Sequence, residues 1–248
     1  MGYYKSVGID VNEKQIIITT GGSEAILFGF MACLDAGDEV IIPEPFYANY
    51  NGFACMSNVV VKPILSYIDN GFALPPIAEF EKLITEKTKA IIICNPNNPT
   101  GAVYSKAFLL DLLAIAREHK LVVLSDEIYD KILFDGAKHI PMASLSDDVF
   151  VMTYGGLSKN YRATGFRGGW VILSGATHRA KSFVEGFTLL ASLRLCANVP
   201  AQYAIQTALG GYQSINDLVA PNGRLCKQRD LIHYKMTDIP GVTCVKPK

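Results

Sequence analysis

The run "KAIIIC" at residues 89–94 is apolar at every position after its lysine, and it is one of seven such runs. "QIIITT" (15–20), "EVIIP" (39–43), "VVVKPIL" (59–65), "LVVLSD" (121–126), "VFVMTY" (149–154) and "GWVIL" (169–173) share its β-branched, non-alternating character. A strand wetted on one face alternates apolar with polar, whereas a continuously apolar strand is covered on both faces. Between these runs lie stretches with helical apolar spacing, "SEAILFGFMACLDA" (23–36), one around 46–57, "IAEFEKLI" (77–84) and "KAFLLDLLAIAREH" (106–119). Strand–helix alternation of this kind predicts an α/β chain with a mostly parallel sheet and right-handed crossovers. In such sheets ligands bind beyond the carboxyl ends of the strands, so the residues just after each strand matter most.

Composition narrows the partners. The 248 residues are half hydrophobic, enough for a large core, and Lys+Arg and Asp+Glu both number 23. A formal charge of zero offers no field to hold nucleic acid or an anionic membrane, which leaves a small molecule as the expected partner. The six cysteines at 33, 55, 94, 196, 226 and 244 show no paired spacing. They read as small buried hydrophobes of a reducing, cytoplasmic compartment, with no metal site. No signal sequence and no apolar run of membrane-spanning length is visible.

From about Ala176 the pattern turns helical, through "HRAKSFVEGFTLLASLRL" (178–195), "AQYAIQTALGGY" (201–212) and "GRLCKQRDLIHYKM" (223–236). The closing "DIPGVTCVKPK" (238–248) reads as a fresh strand that opens a second, smaller domain. The expected division is a large domain over 1–220 and the beginning of a small one over 221–248. "MGYYKSVGID" (1–10) carries no helix cap ahead of the first strand pattern. Both ends therefore suggest a fragment.

The strand ends carry chemistry. "TTGGSEA" (19–25) puts two glycines and Ser23 ahead of a helix, a site for a phosphate or an ordinary capped turn. "PEPFYANY" (43–50) offers Phe46, Tyr47 and Tyr50 for stacking on a flat ring, or for the core. In "NPNNPTG" (95–101) two prolines and Gly101 forbid helix and stiffen the loop, so Asn98 is either a fixed amide donor or part of a self-satisfied turn. "SDEIYDK" (125–131) leaves Asp126 where a strand emerges from the core, in need of a cationic partner such as a protonated ring nitrogen, with Tyr129 three residues on. The alternative there is a helix-capping Asp beside a core Tyr. "GGLSKNYRATGFRGGW" (155–170) sets Lys159 among glycines and Arg167 just before a strand. A partly desolvated lysine near other cations is a competent amine for Schiff-base formation, and an arginine grips phosphate bidentately. The alternative is a solvated Lys–Arg loop. Taken together, these groups are what pyridoxal 5′-phosphate (PLP) requires.

The motifs "NPNNPTG", "SDEIYDKILFD" and "SKNYRATGFRGGW" resemble those of the class I/II, fold-type I PLP-dependent aminotransferases, across essentially the whole chain. The resemblance implies a three-layer α/β fold and a homodimer. It makes Lys159 the Schiff-base lysine and Arg167 the phosphate ligand. Asp126 would pair with the pyridine nitrogen, Asn98 and Tyr129 with the phenolic oxygen, and Tyr47 with the ring face. Gly22, Ser23 and Glu24 would form the phosphate turn. Lys159, Asp126 and Tyr129 are the expected catalytic set. "GLSKNYRATGFRGGW" and "LLASLRLCANVPAQYAIQTALGGYQS" look most like bacterial alanine aminotransferases, implying alanine and 2-oxoglutarate as substrates. Gly156 stands where many relatives carry a phosphate-assisting serine. The small-domain arginine that binds the substrate carboxylate, the N-terminal segment that closes over it, and the partner-donated tyrosine are expected to lie outside the chain. Arg194 is either a ligand for a dicarboxylate substrate or an ordinary ion pair. A PLP-dependent lyase, or a truncated PLP-binding domain without turnover, are the alternative functions.

Overall fold

A computed structural model describes residues 1–248. In chain order the elements are helix α1 (Gly2–Ser6), strand β1 (Ile16–Thr19), α2 (Gly22–Cys33), β2 (Glu39–Glu44), α3 (Asn49–Met56), β3 (Val60–Leu65), α4 (Ile77–Glu81), β4 (Thr88–Cys94), α5 (Lys106–Glu118), β5 (Val122–Asp126), β6 (Val151–Gly156) and β7 (Gly169–Ser174). Four helices follow, α6 (Lys181–Leu193), α7 (Val199–Gly210), α8 (Ile215–Val219) and α9 (Arg224–Thr237).

The seven strands form one sheet in the order β1-β7-β6-β5-β4-β2-β3. Strands β2 to β6 pair in parallel, while β7 pairs antiparallel with both β6 and β1. The expectation of a mostly parallel sheet stands, with β7 alone reversed. Because it is reversed, the residues that precede β7 reach the same edge as those that follow β1, β4, β5 and β6.

Alternation along each strand explains the layers. Ala90, Ile92 and Cys94 of β4 enter one core with Val122 and Leu124 of β5, beneath α2, α3 and α6. Ile91, Ile93 and Val123 point the other way, into a second core with Phe80 of α4 and Leu109, Leu112 and Leu113 of α5. Successive side chains leave a strand on opposite faces, so a strand without a polar position fills two cores. Each fully buried Ile or Leu contributes about 1.5–3 kcal/mol relative to exposure. At the open edge, β3 is half exposed and carries Lys62 and Pro63, which discourage further pairing. No helix is long and apolar enough to cross a membrane.

Two expectations, a strand at the C-terminus and burial of all the cysteines, are corrected, while the N-terminus has no side-chain helix cap, as expected. Residues 2–6 are helical, and Tyr4 is buried, accepting a 2.6 Å hydrogen bond from Trp170 Nε1. This segment closes a third apolar cluster with Ile9, Val11, Leu157 and Ile205. Residues 242–248 form no strand. Their backbone meets the 95–101 loop through the Lys248 N–H and Gly101 carbonyl, and a single bond makes no ladder. Of the cysteines only 33, 94 and 226 are buried, whereas Cys55 and Cys196 are exposed; all six are free thiols. Within 221–248, α9 is fastened to the body by Arg229, which pairs with Asp135 at 2.8 Å and lies over the Phe134 ring.

Candidate active site

Strand β5 ends on Asp126, and alternation turns its carboxylate toward the same face as Leu124 and Cys94. Burial there pushes the carboxyl up. The Tyr50 hydroxyl, donating to Oδ2 at 2.6 Å, and the Ile128 N–H, donating to Oδ1 at 3.2 Å, pull it back. Residues 127–131 form a turn, so Asp126 caps no helix. An anion with so few donors leaves a place for a cationic group inside the pocket.

Tyr129 comes from that turn. Its phenol, pushed up to about 12 by burial and by the neighbouring Cys94, Asp126 and Tyr47, accepts a 3.2 Å hydrogen bond from Asn98 Nδ2. The 95–101 loop explains why Asn98 is free to do this. Asn95 Oδ1 accepts the Tyr104 N–H, and Asn97 Oδ1 accepts from Thr100, so the neighbouring amides are spent on the loop itself.

Lys159 follows the end of β6 and lines the same pocket, its Nζ 5.8 Å from the centre of the Tyr129 ring. Lys159 is exposed, unlike the partly desolvated lysine expected. The glycines before it have steric reasons. A Cβ on Gly155 would come within 2.6 Å of the Trp170 indole. One on Gly156 would lie 3.1 Å from both the Gly168 carbonyl and Ile128 Cδ1, which leaves little room for a serine there.

The turn between β1 and α2 packs directly against Arg167. Gly21 has φ +81°, and a Cβ there would overlap the Arg167 guanidinium. Arg167 itself adopts φ +52° and donates to the Thr164 carbonyl at 2.9 Å. Gly21 is the N-cap of α2 without a side-chain cap, so Ser23 is not used as one. The N–H groups of that first turn and the guanidinium could together hold an anion. Glu24 contributes only its backbone to this surface, since its side chain accepts from the Thr20 N–H and pairs with Arg194.

These groups converge on one cavity of about 200 Å³, lined by Gly22, Ser23, Tyr47, Asn98, Asp126, Tyr129, Lys159 and Arg167 among others. Tyr47 stands edge-on to Tyr50, with ring centres 5.5 Å apart. Sequence reasoning missed that Tyr50 is the hydroxyl on Asp126, and it missed Cys94, Ile128 and Thr164 as lining residues. The alternation pattern does place Cys94 on the Asp126 face; nothing in the sequence signals the Tyr50 contact. Arg194 is an internal ion pair, the plainer of the two expectations.

The seven-stranded α/β sheet brings a glycine turn, a buried carboxylate, a lysine and an arginine to neighbouring strand ends around one cavity. The whole chain, residues 1–248, matches the family described as Aminotransferase class I and II, and the protein belongs to that family. It is 49% identical over 246 residues to the glutamate-pyruvate aminotransferase AlaA of Haemophilus influenzae, covering 99% of this chain and 61% of the relative. It is 50% identical over 232 residues to the alanine aminotransferase of Mycobacterium tuberculosis, covering 94% and 54%. The crystal structure of an aminotransferase from Escherichia coli superposes with TM-score 0.96 at 47% identity, covering all of this chain and 61% of that one. The chain thus spans 54–61% of the length of these relatives.

Proposed function

We propose that this chain is the cofactor-holding part of a PLP-dependent aminotransferase that exchanges an amino group between alanine and 2-oxoglutarate. The observation that carries the reading is the convergence of Lys159, Asp126, Asn98, Tyr129 and Arg167 on one cavity. The similarity to alanine and glutamate-pyruvate aminotransferases supports the substrate pair. On this reading residues 1–220 are the large domain, 221–248 begin a second, and the full enzyme is a cytoplasmic homodimer.

The residues present fit the group chemically. PLP, when bound, supplies a protonated ring that withdraws electrons from the substrate Cα. Asp126 holds the proton on the ring nitrogen, a cationic partner that its buried carboxylate otherwise lacks. Tyr50 keeps the carboxylate oriented. Tyr129 and Asn98 donate toward the phenolic oxygen, and Tyr47 covers a ring face. Arg167 and the first N–H groups of α2 hold the phosphate. Lys159 Nζ would hold the group through its aldehyde and, once displaced by the incoming amine, would be free to take the Cα proton of the amino acid.

The test is to equilibrate the chain with PLP, add L-alanine and 2-oxoglutarate, and assay products. Pyruvate with glutamate supports the reading. With L-cysteine in place of alanine and no 2-oxo acid, sulfide with pyruvate and ammonia indicates a lyase, and bound PLP without product from either mixture indicates a binding domain without turnover.

A further inference from the structure

Arg194, the C-cap of α6, directs three nitrogens at the chain itself. Nε meets Glu24 Oε1 at 3.1 Å, Nη2 donates to the Ile18 carbonyl at 3.1 Å, and Nη1 donates to the Leu195 carbonyl at 2.8 Å. Glu24 Oε2 in turn accepts the Thr20 N–H at 2.7 Å. Both side chains are largely buried, 20% and 17% exposed. Arg194 therefore grips the exit of β1 directly and, through Glu24, the residue that begins the glycine turn. The turn between these two holds is the one that packs against Arg167 at Gly21.

We propose that Arg194 is a positioning residue for the anion-binding turn: with Glu24 it braces Thr20–Ser23 and thereby sets how tightly a phosphate monoester is held there. The inference rests on the reading of the pocket as a PLP site. Two physical effects combine. The brace fixes a turn whose Gly21 must hold φ +81° against the Arg167 guanidinium, so loosening it moves N–H donors off their target. It also neutralises Glu24, a carboxylate in the first helical turn that would otherwise repel the phosphate dianion. Arg194 touches no part of the ligand, so its influence is confined to the phosphate end.

The experiment measures dissociation constants of the full chain for PLP and for pyridoxal, which lacks the phosphate. Wild type should prefer PLP. Arg194→Ala should weaken PLP about tenfold while leaving pyridoxal unchanged, collapsing the ratio of the two. Arg194→Lys retains a charge for Glu24 but has one nitrogen for two targets, so it should fall between. It also supplies a folded comparison if the alanine variant is unstable. Equal losses for both ligands, or an unchanged ratio in both variants, would overturn the brace. A wild type that binds the two ligands alike would instead contradict the phosphate-turn reading itself, and the brace with it.

Discussion

Tyr50, from the first turn of α3, donates its hydroxyl to Asp126 at the end of β5 across 2.6 Å, and both residues are buried. A hydrogen bond to a buried charged group contributes about 1.5–3 kcal/mol. Tyr50→Phe should therefore lower stability by about that amount at pH values where Asp126 is ionised. Removing the donor pushes the Asp126 carboxyl, already raised by burial, higher still. Below its folded value the carboxyl is neutral in both proteins, so the difference shrinks as pH falls. Urea denaturation of the two proteins across a pH series measures this; a difference that grows toward acid would contradict the assignment.

Gly155 lies against the only tryptophan of the chain. Gly155→Ala should destabilise by about 1–3 kcal/mol through overpacking and shift the Trp170 emission. Gly165, with nothing within 4 Å of its added Cβ, is the control, and its alanine variant should leave the emission unchanged. Tryptophan fluorescence during unfolding reads both quantities at once.

Much of this arrangement is visible in the sequence, and the failures have causes. Unbroken apolar runs such as Ile91–Ile93 announce a sheet covered on both faces, and the residues that follow the runs announce the pocket. The reversal of β7 escapes this reasoning because "GWVIL" is buried on both faces like its parallel neighbours, and direction leaves no mark on periodicity. "GVTCVKPK" has a strand's alternation but no partner edge, and a strand without a ladder does not form. The contacts of Tyr50 with Asp126, and of Arg194 with Glu24, join positions 76 and 170 residues apart. Only the assembled sheet brings them together.

His139 and Glu127 form an ion pair at 2.9 Å, with both side chains 7% exposed. Glu127 also accepts from the Ser125 hydroxyl and the Met142 N–H. Burial disfavours the imidazolium, but the charge and hydrogen bond of Glu127 outweigh it, so His139 titrates above its ordinary value. A raised folded value means that the pair stabilises most below about pH 6.5, the unfolded value, and that this contribution is lost as pH rises through the folded one. His139→Gln should thus cost on the order of 1–3 kcal/mol at pH 6 and progressively less in alkali. Melting temperatures of the two proteins from pH 5 to 9 check the sign.

Lys159 is the residue on which the functional account depends. The most direct measurement reduces the PLP-loaded chain with borohydride, digests it, and maps the modified peptide by mass. One phosphopyridoxyl group is expected, on Lys159, and none in Lys159→Ala. Stable modification of a different lysine, or undiminished labelling of the Lys159→Ala chain, would contradict it.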